Sequence, residues 1–222
     1  MPKETFYNLP DHKRRNIEKT AIKEFAEYGY DKASITRMVE NCSIAKGSFY
    51  QYFDDKKDLY FYLVARVAQK KAEALAPVME RSREYDFFGL IRKLFLEGLR
   101  FAANNPEVTM MGDWLFKNRE HPIYKELVGT GLENARNIYM ELLKTAIEKK
   151  EVRADIDLAF ISHTISTLSV SSIEYYFQTE EGKKARTARF DENMIDIIDL
   201  LIDFLKYGIG TGERKVAGYD KS

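Results

Sequence analysis

The sequence predicts an all-α fold, with an N-terminal helix-turn-helix domain of three helices followed by a longer helical domain. Apolar residues recur at helical spacing over most of the 222 residues, as expected of helices packed on a core. Signals that stop or start helices lie at Asn104-Asn105-Pro106 and at Pro122. Strands would alternate apolar and polar residues, and the sequence has no segment of that kind.

Residues 34–53 predict two short helices joined by a tight turn. Ser34 is a natural N-cap, because its hydroxyl can accept a hydrogen bond from a free backbone N–H of the first turn. The helix that it starts would run to about Glu40. Residues 41–43 are small and turn-tolerant, and Ile44 supplies the apolar contact that holds the second helix against the first. This is the layout of a helix-turn-helix that reads DNA.

The second helix, from about Ala45 to Tyr52, would turn a polar face outward. Phe49 and Phe53 lie four residues apart and so share its inner face. The small residues of its first turn would let its N-terminus approach a phosphate or a base edge closely. Its outward face would carry a cation with hydroxyl and amide groups, Lys46, Ser48, Tyr50, Gln51 and Tyr52. Such groups bond phosphates and base edges, although a core turn with ordinary surface residues has the same outline.

Residues 16–63, nearly a quarter of the chain, resemble the DNA-binding domain of the TetR family of bacterial and archaeal transcription regulators. The matching parts are residues 25–30 (Phe-Ala-Glu-Tyr-Gly-Tyr), Ser34-Ile35, residues 46–50 (Lys-Gly-Ser-Phe-Tyr), and Tyr52-Phe53 followed by Lys56 and Leu59. The resemblance implies phosphate contacts from Ser34, Lys46, Tyr50, Tyr52 and Lys56. It also implies base-edge contacts from Thr36, Gly47, Ser48 and Gln51.

The chain departs from the family pattern at two positions. Ser43 stands in the turn where the family usually has Gly, and a non-Gly residue held in the left-handed region costs roughly 1 kcal/mol. We expect the operator contacts to survive that change. Ala45 stands where the family often has a capping Ser or Thr, so we expect one phosphate contact fewer.

Charge predicts a moderate electrostatic affinity for DNA. The formal net charge is zero, and residues 1–60 carry 11 Lys and Arg against 10 Asp and Glu. Basic residues still cluster at 13–15 and at Lys46, Lys56 and Lys57. So sparse a set predicts a shallower salt dependence than that of a strongly basic binder. For residues 13–15 a solvated helix start is an equal alternative.

Cysteine, targeting and metal signals are few. Cys42 is the single cysteine, which excludes an intrachain disulfide, and we expect it to be a small buried residue. The N-terminus has no apolar signal core and no apolar run approaches the length of a membrane span, which predicts a cytoplasmic protein. The three histidines are scattered and no Gly-rich phosphate loop is present, so we expect no metal, no cofactor and no enzyme activity. A small helical enzyme with an unrecognised site and a helical protein-interaction module remain alternatives.

The predicted domains are residues 1–55 for DNA binding, residues 56–208 for a second helical domain, and residues 209–222 for a mobile tail. A helix from about Lys56 to Glu80 would join the first two domains, and Pro77 should bend or end it. Further helices are predicted over residues 86–103, 107–116, 122–150, 157–179 and 192–207, with Asp157 as a plausible N-cap.

The resemblance implies that the second domain binds a small hydrophobic effector, and that binding changes the separation of two DNA-reading helices and releases the operator. Aromatic residues, Met residues and a few others could line the cavity: Phe95, Leu99, Met110, Met111, Trp114, Phe116, Tyr139, Phe160, His163, Thr164, Tyr175 and Tyr176. A stripe of this kind is more often plain core. We expect His163 to be a satisfied core histidine, with a hydrogen bond to a ligand as the alternative.

The last two helices predict a homodimer. The penultimate helix carries small residues that would let another helix approach closely, and the last helix has two apolar stripes, so its surface needs two partners. An isologous four-helix interface would bring together Ser169, Ser172, Ile195, Ile198, Ile202 and Leu205. Two reading helices about 34 Å apart would require a roughly palindromic operator. The alternative is a central helix in a monomeric bundle. The expected function is a ligand-responsive repressor of transcription.

Overall fold

The computed structural model describes residues 1–179 and 192–211, apart from a few side chains within helices. The α-helices of these residues are α1 (Glu4–Tyr7), α2 (Asp11–Lys32), α3 (Ile35–Asn41), α4 (Lys46–Tyr52), α5 (Lys56–Glu80), α6 (Phe87–Asn104), α7 (Pro106–Lys117), α8 (Pro122–Glu148), α9 (Leu158–Gln178) and α10 (Glu192–Ile209), and a short 3-10 helix covers Ser82–Glu84. The predicted all-α class is confirmed. The side chain of Phe116 and the tail from residue 212 onward lie outside the described residues.

The chain divides into two compact units whose boundaries differ from the predicted ones. The first unit contains residues 1–74 and 101–128, and the second contains residues 75–100 and 129–222. The first unit therefore includes all of α7, because α7 packs against α2. The long helix α5 has the predicted bounds, and Pro77 lies within it rather than ending it.

Aromatic side chains dominate the core of the first unit. Phe6, Phe25, Phe49 and Phe53 are completely or almost completely buried there. The ring centroids of Phe6 and Phe53 lie 4.8 Å apart, as do those of Phe25 and Tyr60. Large rings contribute much buried apolar area in a small volume, so this cluster fixes α1, α2, α4 and α5 to one another.

The contact between α2 and α7 is made at Gly29 and Trp114. Gly29 interrupts the helical geometry of α2 with φ 70° and ψ 173°. The indole of Trp114 lies so close that a Cβ at Gly29 would be 2.3 Å from Trp114 Cδ1. The indole also lies near the rings of Tyr30 and His121, at centroid distances of 5.8 and 5.4 Å. Glycine is required here both by the backbone and by the space available.

The second unit has an aliphatic core to which α6, α8, α9 and α10 contribute. Leu143 and Ile165 are completely buried in it, together with Ile91 of α6. Arg92 Nε and Nη2 donate to Asp199 Oδ1 and Oδ2 at 2.5 and 2.9 Å. This bidentate pair joins α6 to α10 in a geometry that fixes their relative rotation.

The end of α10 is packed against the turn that follows α8. Ile209 is buried in the core, and Arg153 N donates to its carbonyl at 3.0 Å. Thr211 N donates to the carbonyl of Glu151 at 3.3 Å. The first three residues of the predicted tail, 209–211, therefore contact the turn after α8, which supplies hydrogen-bond partners that are distant in sequence.

Three of the six residues predicted for the dimer interface are buried in the core of the second unit. Ile198, Ile202 and Leu205 are buried in its core, and Ile195 packs against that core. Ser169 Oγ lies 3.2 Å from the hydroxyl of Tyr139 within the same unit, and Ser172 is half-buried. The three buried residues thus face the core of the second unit, and helical periodicity identifies two stripes on α10 but not which of them faces that core.

Candidate DNA-binding surface

The helix-turn-helix of α3 and α4 is built from a cap and a left-handed turn. Ser34 Oγ accepts a hydrogen bond from Arg37 N at 3.4 Å and so caps α3. Ser43 has φ 56°, its N–H donates to Glu40 O at 3.1 Å, and the N–H of Ile44 donates to Val39 O at 3.0 Å. These two bonds form the Schellman arrangement in which glycine usually occupies the left-handed position. The predicted strain at Ser43 is therefore present.

Helix α4 is held by its apolar face and leaves its polar face exposed. Phe49 and Phe53 are buried, whereas Lys46, Tyr50 and Gln51 are exposed. Of the other residues predicted to contact DNA, Thr36 and Gly47 are exposed and Ser34, Ser48, Tyr52 and Lys56 are half-buried. A Cβ at Gly47 would meet no atom within 4 Å, so packing within the protein does not require glycine there.

Two of the predicted cations already have partners within the protein. Lys46 Nζ donates to Thr36 Oγ1 at 3.3 Å, which links α4 to α3. Lys56 Nζ donates to the carbonyls of Asp31 and Ala33 at 3.0 and 3.1 Å and lies 4.7 Å from the centroid of the Tyr30 ring. An ammonium has three protons to donate, so a phosphate contact from Lys56 would use the one that remains.

Sequence reasoning missed the buried carboxylate that fixes the start of α3. Glu24 is only 4% exposed and accepts from Ser34 N at 2.8 Å and from Arg37 Nε at 2.9 Å. The Arg37 guanidinium lies 4.1 Å above the ring of Tyr28, and its hydrogen bond with Glu24 raises the pKa of the guanidinium. A signal was present, because Glu24 falls on the apolar face of α2 and a buried charge needs a partner.

The predicted ligand residues do not converge within one unit. In the first unit, Met111 and Trp114 belong to the core cluster of buried and packed residues, while Met110 is exposed. In the second unit, Phe95, Leu99 and Tyr139 pack against the core.

The remaining predicted ligand residues lie on α9. Phe160, His163 and Tyr175 are exposed, and the expectation of a core position for His163 is therefore wrong. Tyr176 is buried. Thr164 is half-buried, and its hydroxyl donates to the carbonyl of Phe160 at 2.8 Å. The exposed aromatic side chains of Phe160 and Tyr175 therefore belong to the surface of α9 and not to the core of the second unit.

The first unit also carries a surface depression of about 500 Å³, lined by Lys117, Asn118, Arg119, Glu120 and His121. It includes none of the predicted ligand residues. Among the residues that the structure describes, no three His, Cys, Asp or Glu side chains are grouped to hold a metal ion. Within residues 1–179 and 192–211, no helix has both the length and the apolar character needed to span a bilayer.

Sequence comparison places the region of α3 and α4 in a known family. The family described as bacterial regulatory proteins, tetR family, matches residues 17–63. An HTH-type transcriptional repressor of Mycobacterium tuberculosis is 38% identical over 69 residues, which are 31% of this chain and 35% of that protein. The repressor AcnR of Corynebacterium diphtheriae is 33% identical over 64 residues, 29% of this chain and 34% of that protein. The chain thus spans about a third of the length of these curated relatives.

Solved structures resemble most of the chain. A TetR family transcriptional regulator from Chloroflexus aurantiacus has a TM-score of 0.65 and 25% identity, and the match covers 96% of this chain and all of that one. The regulator FadR of Bacillus subtilis, solved with stearoyl-CoA, has a TM-score of 0.67 at 14% identity, with 86% and 96% covered. The second likeness is one of fold alone. Residues 17–63 are thus similar to the tetR family of bacterial regulatory proteins, and the helical fold of the described residues is similar to that of a solved TetR family regulator.

Proposed function

We propose that the protein is a DNA-binding transcription regulator, a repressor that leaves a palindromic operator when a small hydrophobic effector binds. The observation that carries the proposal is the surface of α4. Its inner face is fixed by Phe49 and Phe53, while Lys46, Tyr50 and Gln51 face solvent. A helix held in this way can enter the major groove, where phosphate contacts position it and contacts to base edges select the sequence.

The operator complex should depend on a few contacts. Lys46 and Tyr50 supply a cation and a hydroxyl for phosphate oxygens, and Gln51 supplies an amide for a base edge. The sequence near the motif is almost neutral, so the affinity should fall with salt less steeply than that of a strongly basic protein.

The DNA-binding proposal is tested by removing two contacts from α4. In the double variant Lys46→Ala/Tyr50→Ala, we expect operator affinity to fall about 100-fold, as two lost charge-assisted or polar contacts would produce. Affinity is measured by fluorescence anisotropy on operator DNA that the wild-type protein selects from a random pool. The variant Lys70→Ala removes an exposed charge on α5 and serves as the control. Equal operator affinity of the double variant and the wild type would refute the DNA-binding proposal.

The effector site is proposed within the second unit. Phe95, Leu99 and Tyr139 pack beside its core, and burial raises the pKa of the Tyr139 phenol, whose hydroxyl lies 3.2 Å from Ser169 Oγ. The Bacillus subtilis regulator of similar fold was solved with stearoyl-CoA. That likeness supports a ligand with a long apolar chain, which such residues would surround.

The effector proposal predicts release of DNA by acyl compounds. Fatty acids and acyl-CoA thioesters of increasing chain length are titrated into the operator complex, and at least one should lower operator affinity. Replacing Leu99 by Asp should raise the concentration that is needed, because a charge is costly on an apolar wall. The exposed Met110→Asp is the control. If every compound that binds leaves operator affinity unchanged, the coupling is absent.

A further inference from the structure

The N-terminal segment of the chain lies against the end of α4. Residues 1–9 include the short helix α1, and the sequence pattern assigned them no role. Phe6 of this segment is completely buried and packs on Phe53, directly after α4, and on Tyr62 of α5, with ring centroids 4.8 and 5.3 Å away. The segment is thus anchored in the core of the first unit.

This segment donates to three consecutive carbonyls in the last turn of α4. Lys3 Nζ donates to Tyr50 O at 2.9 Å, and Lys3 N donates to Tyr52 O at 2.9 Å. Thr5 Oγ1 donates to the carbonyl of Gln51. Lys3 Nζ also forms an ion pair with Asp54 Oδ1 at 2.8 Å, and this hydrogen bond lowers the pKa of the Asp54 carboxyl.

A helix as short as α4 depends on such partners. It has seven residues, and isolated helices shorter than about 12 residues are marginal in water. The last four carbonyls of any helix have no partner within it, and a cation near them also complements the negative end of the helix dipole. Ala45, at the other end, provides no side-chain cap. The donors of the N-terminal segment therefore satisfy carbonyls that α4 leaves without a partner of its own.

We propose that residues 3–7 are a positioning element for DNA recognition, in which Lys3 and Thr5 cap α4 and set the direction of its axis. The inference rests on the proposed DNA-binding function. Three donors around one helix end restrain both its tilt and its rotation, so the exposed Tyr50 and Gln51 meet the DNA already aligned. Without them, only a fraction of molecules would hold α4 in the competent orientation, and the apparent dissociation constant would rise by the inverse of that fraction.

The test compares variants that keep or remove one donor. Thr5→Val keeps the shape of the side chain and removes its hydroxyl, whereas Thr5→Ser retains the hydroxyl. We expect operator affinity to fall about fivefold in Thr5→Val and in Lys3→Ala, the worth of one hydrogen bond, and to stay at the wild-type level in Thr5→Ser. Lys70→Ala, which removes an equal charge from an exposed site on α5, should bind like the wild type.

Two further readouts separate positioning from direct contact. If Lys3 acts through α4, the slope of log affinity against log salt stays unchanged in Lys3→Ala, and the amides of residues 51–53 exchange faster with deuterium in the free variant. If Lys3 touches a phosphate instead, the slope becomes shallower by about 0.9 and exchange is unaltered. The second result overturns the inference.

The inference and the proposed function fail differently. Wild-type protein that selects no DNA from the random pool would refute DNA binding itself. Wild-type protein that binds tightly, with Thr5→Val and Lys3→Ala binding equally well, would leave DNA binding intact and refute the positioning role.

Discussion

Gly29 occupies a backbone conformation, φ 70° and ψ 173°, that residues with a side chain rarely adopt. The indole of Trp114 fills the space beside it. Ser43 is a different case, since its φ of 56° lies in the left-handed region that a polar residue can occupy at a cost of about 1 kcal/mol. At this scale the sequence revealed the turn at Ser43, because turn residues act locally. It did not reveal the reason for Gly29, because Trp114 is 85 positions away in the sequence.

A methyl group at Gly29 should destabilise the first unit strongly. We expect Gly29→Ala to lower the free energy of unfolding by about 2–4 kcal/mol, from backbone strain together with the displacement of a packed ring. Urea denaturation followed by Trp114 fluorescence measures the change. Gly47→Ala is the matched control, because a Cβ there meets no atom within 4 Å; it should be neutral or slightly stabilising. Equal stability of both variants would contradict the packing argument.

The helices themselves follow closely from local sequence. Ser34 and Asp157 cap α3 and α9 as predicted, with Asp157 Oδ1 accepting from Phe160 N at 3.0 Å. Caps and prolines act within one helical turn, so the ends of a helix can be predicted from the residues next to them in the sequence. Which face of a helix is buried cannot always be predicted from the local sequence. α10 is apolar on two sides, and only packing against Ile165 and its neighbours decides that Ile198 and Ile202 face inward.

The pair formed by Arg92 and Asp199 should make the second unit sensitive to acid. Its hydrogen bonds hold the pKa of the Asp199 carboxyl below the ordinary value of 3.8. Because the folded pKa is the lower one, the stabilisation is complete above about pH 4 and is lost as the pH falls through the lowered pKa. Both side chains are more than one-third exposed, so the contribution should not exceed about 1 kcal/mol.

Urea denaturation at two pH values checks this. At pH 7, Asp199→Asn should be less stable than the wild type. The difference should shrink at pH 3, because this pH lies below the ordinary carboxyl pKa of 3.8 and the unfolded chain then takes up a proton at Asp199. The exposed Asp203→Asn, on the same helix, is the control and should change little at either pH. A difference for Asp199→Asn that is the same at both pH values would argue against the ion pair.

At the scale of the whole molecule, the second unit exposes aromatic and aliphatic side chains on α9 and α10. Leu200 and Phe204 are each 65% exposed, and Tyr207 is 76% exposed. Phe160 and Tyr175 on α9 are exposed as well. Exposed apolar patches mark interaction sites. We propose that two copies of the chain pair through these exposed side chains of α9 and α10, so that each copy covers the patch of the other. A two-fold dimer would also provide the pair of reading helices that a palindromic operator requires.

A charge on this face should separate the dimer. We expect Phe204→Asp to be monomeric and to bind the operator much more weakly, while its helical content stays at the wild-type level because the side chain is not part of the core. Size-exclusion chromatography with light scattering measures the mass. Met79→Asp changes an exposed apolar residue elsewhere on the second unit and should remain dimeric. Identical masses for wild type and Phe204→Asp would refute this interface.

The sequence by itself determined the helices, the helix-turn-helix and the polar face of α4, because caps, turns and helical periodicity act over a few residues. Tertiary structure alone decided which face of α10 is buried, that α7 belongs with the first unit, and that Lys3 and Thr5 cap α4. Each of these depends on contacts between residues far apart in the sequence, such as Gly29 with Trp114. Periodicity shows that a surface is apolar, but only packing shows what covers it.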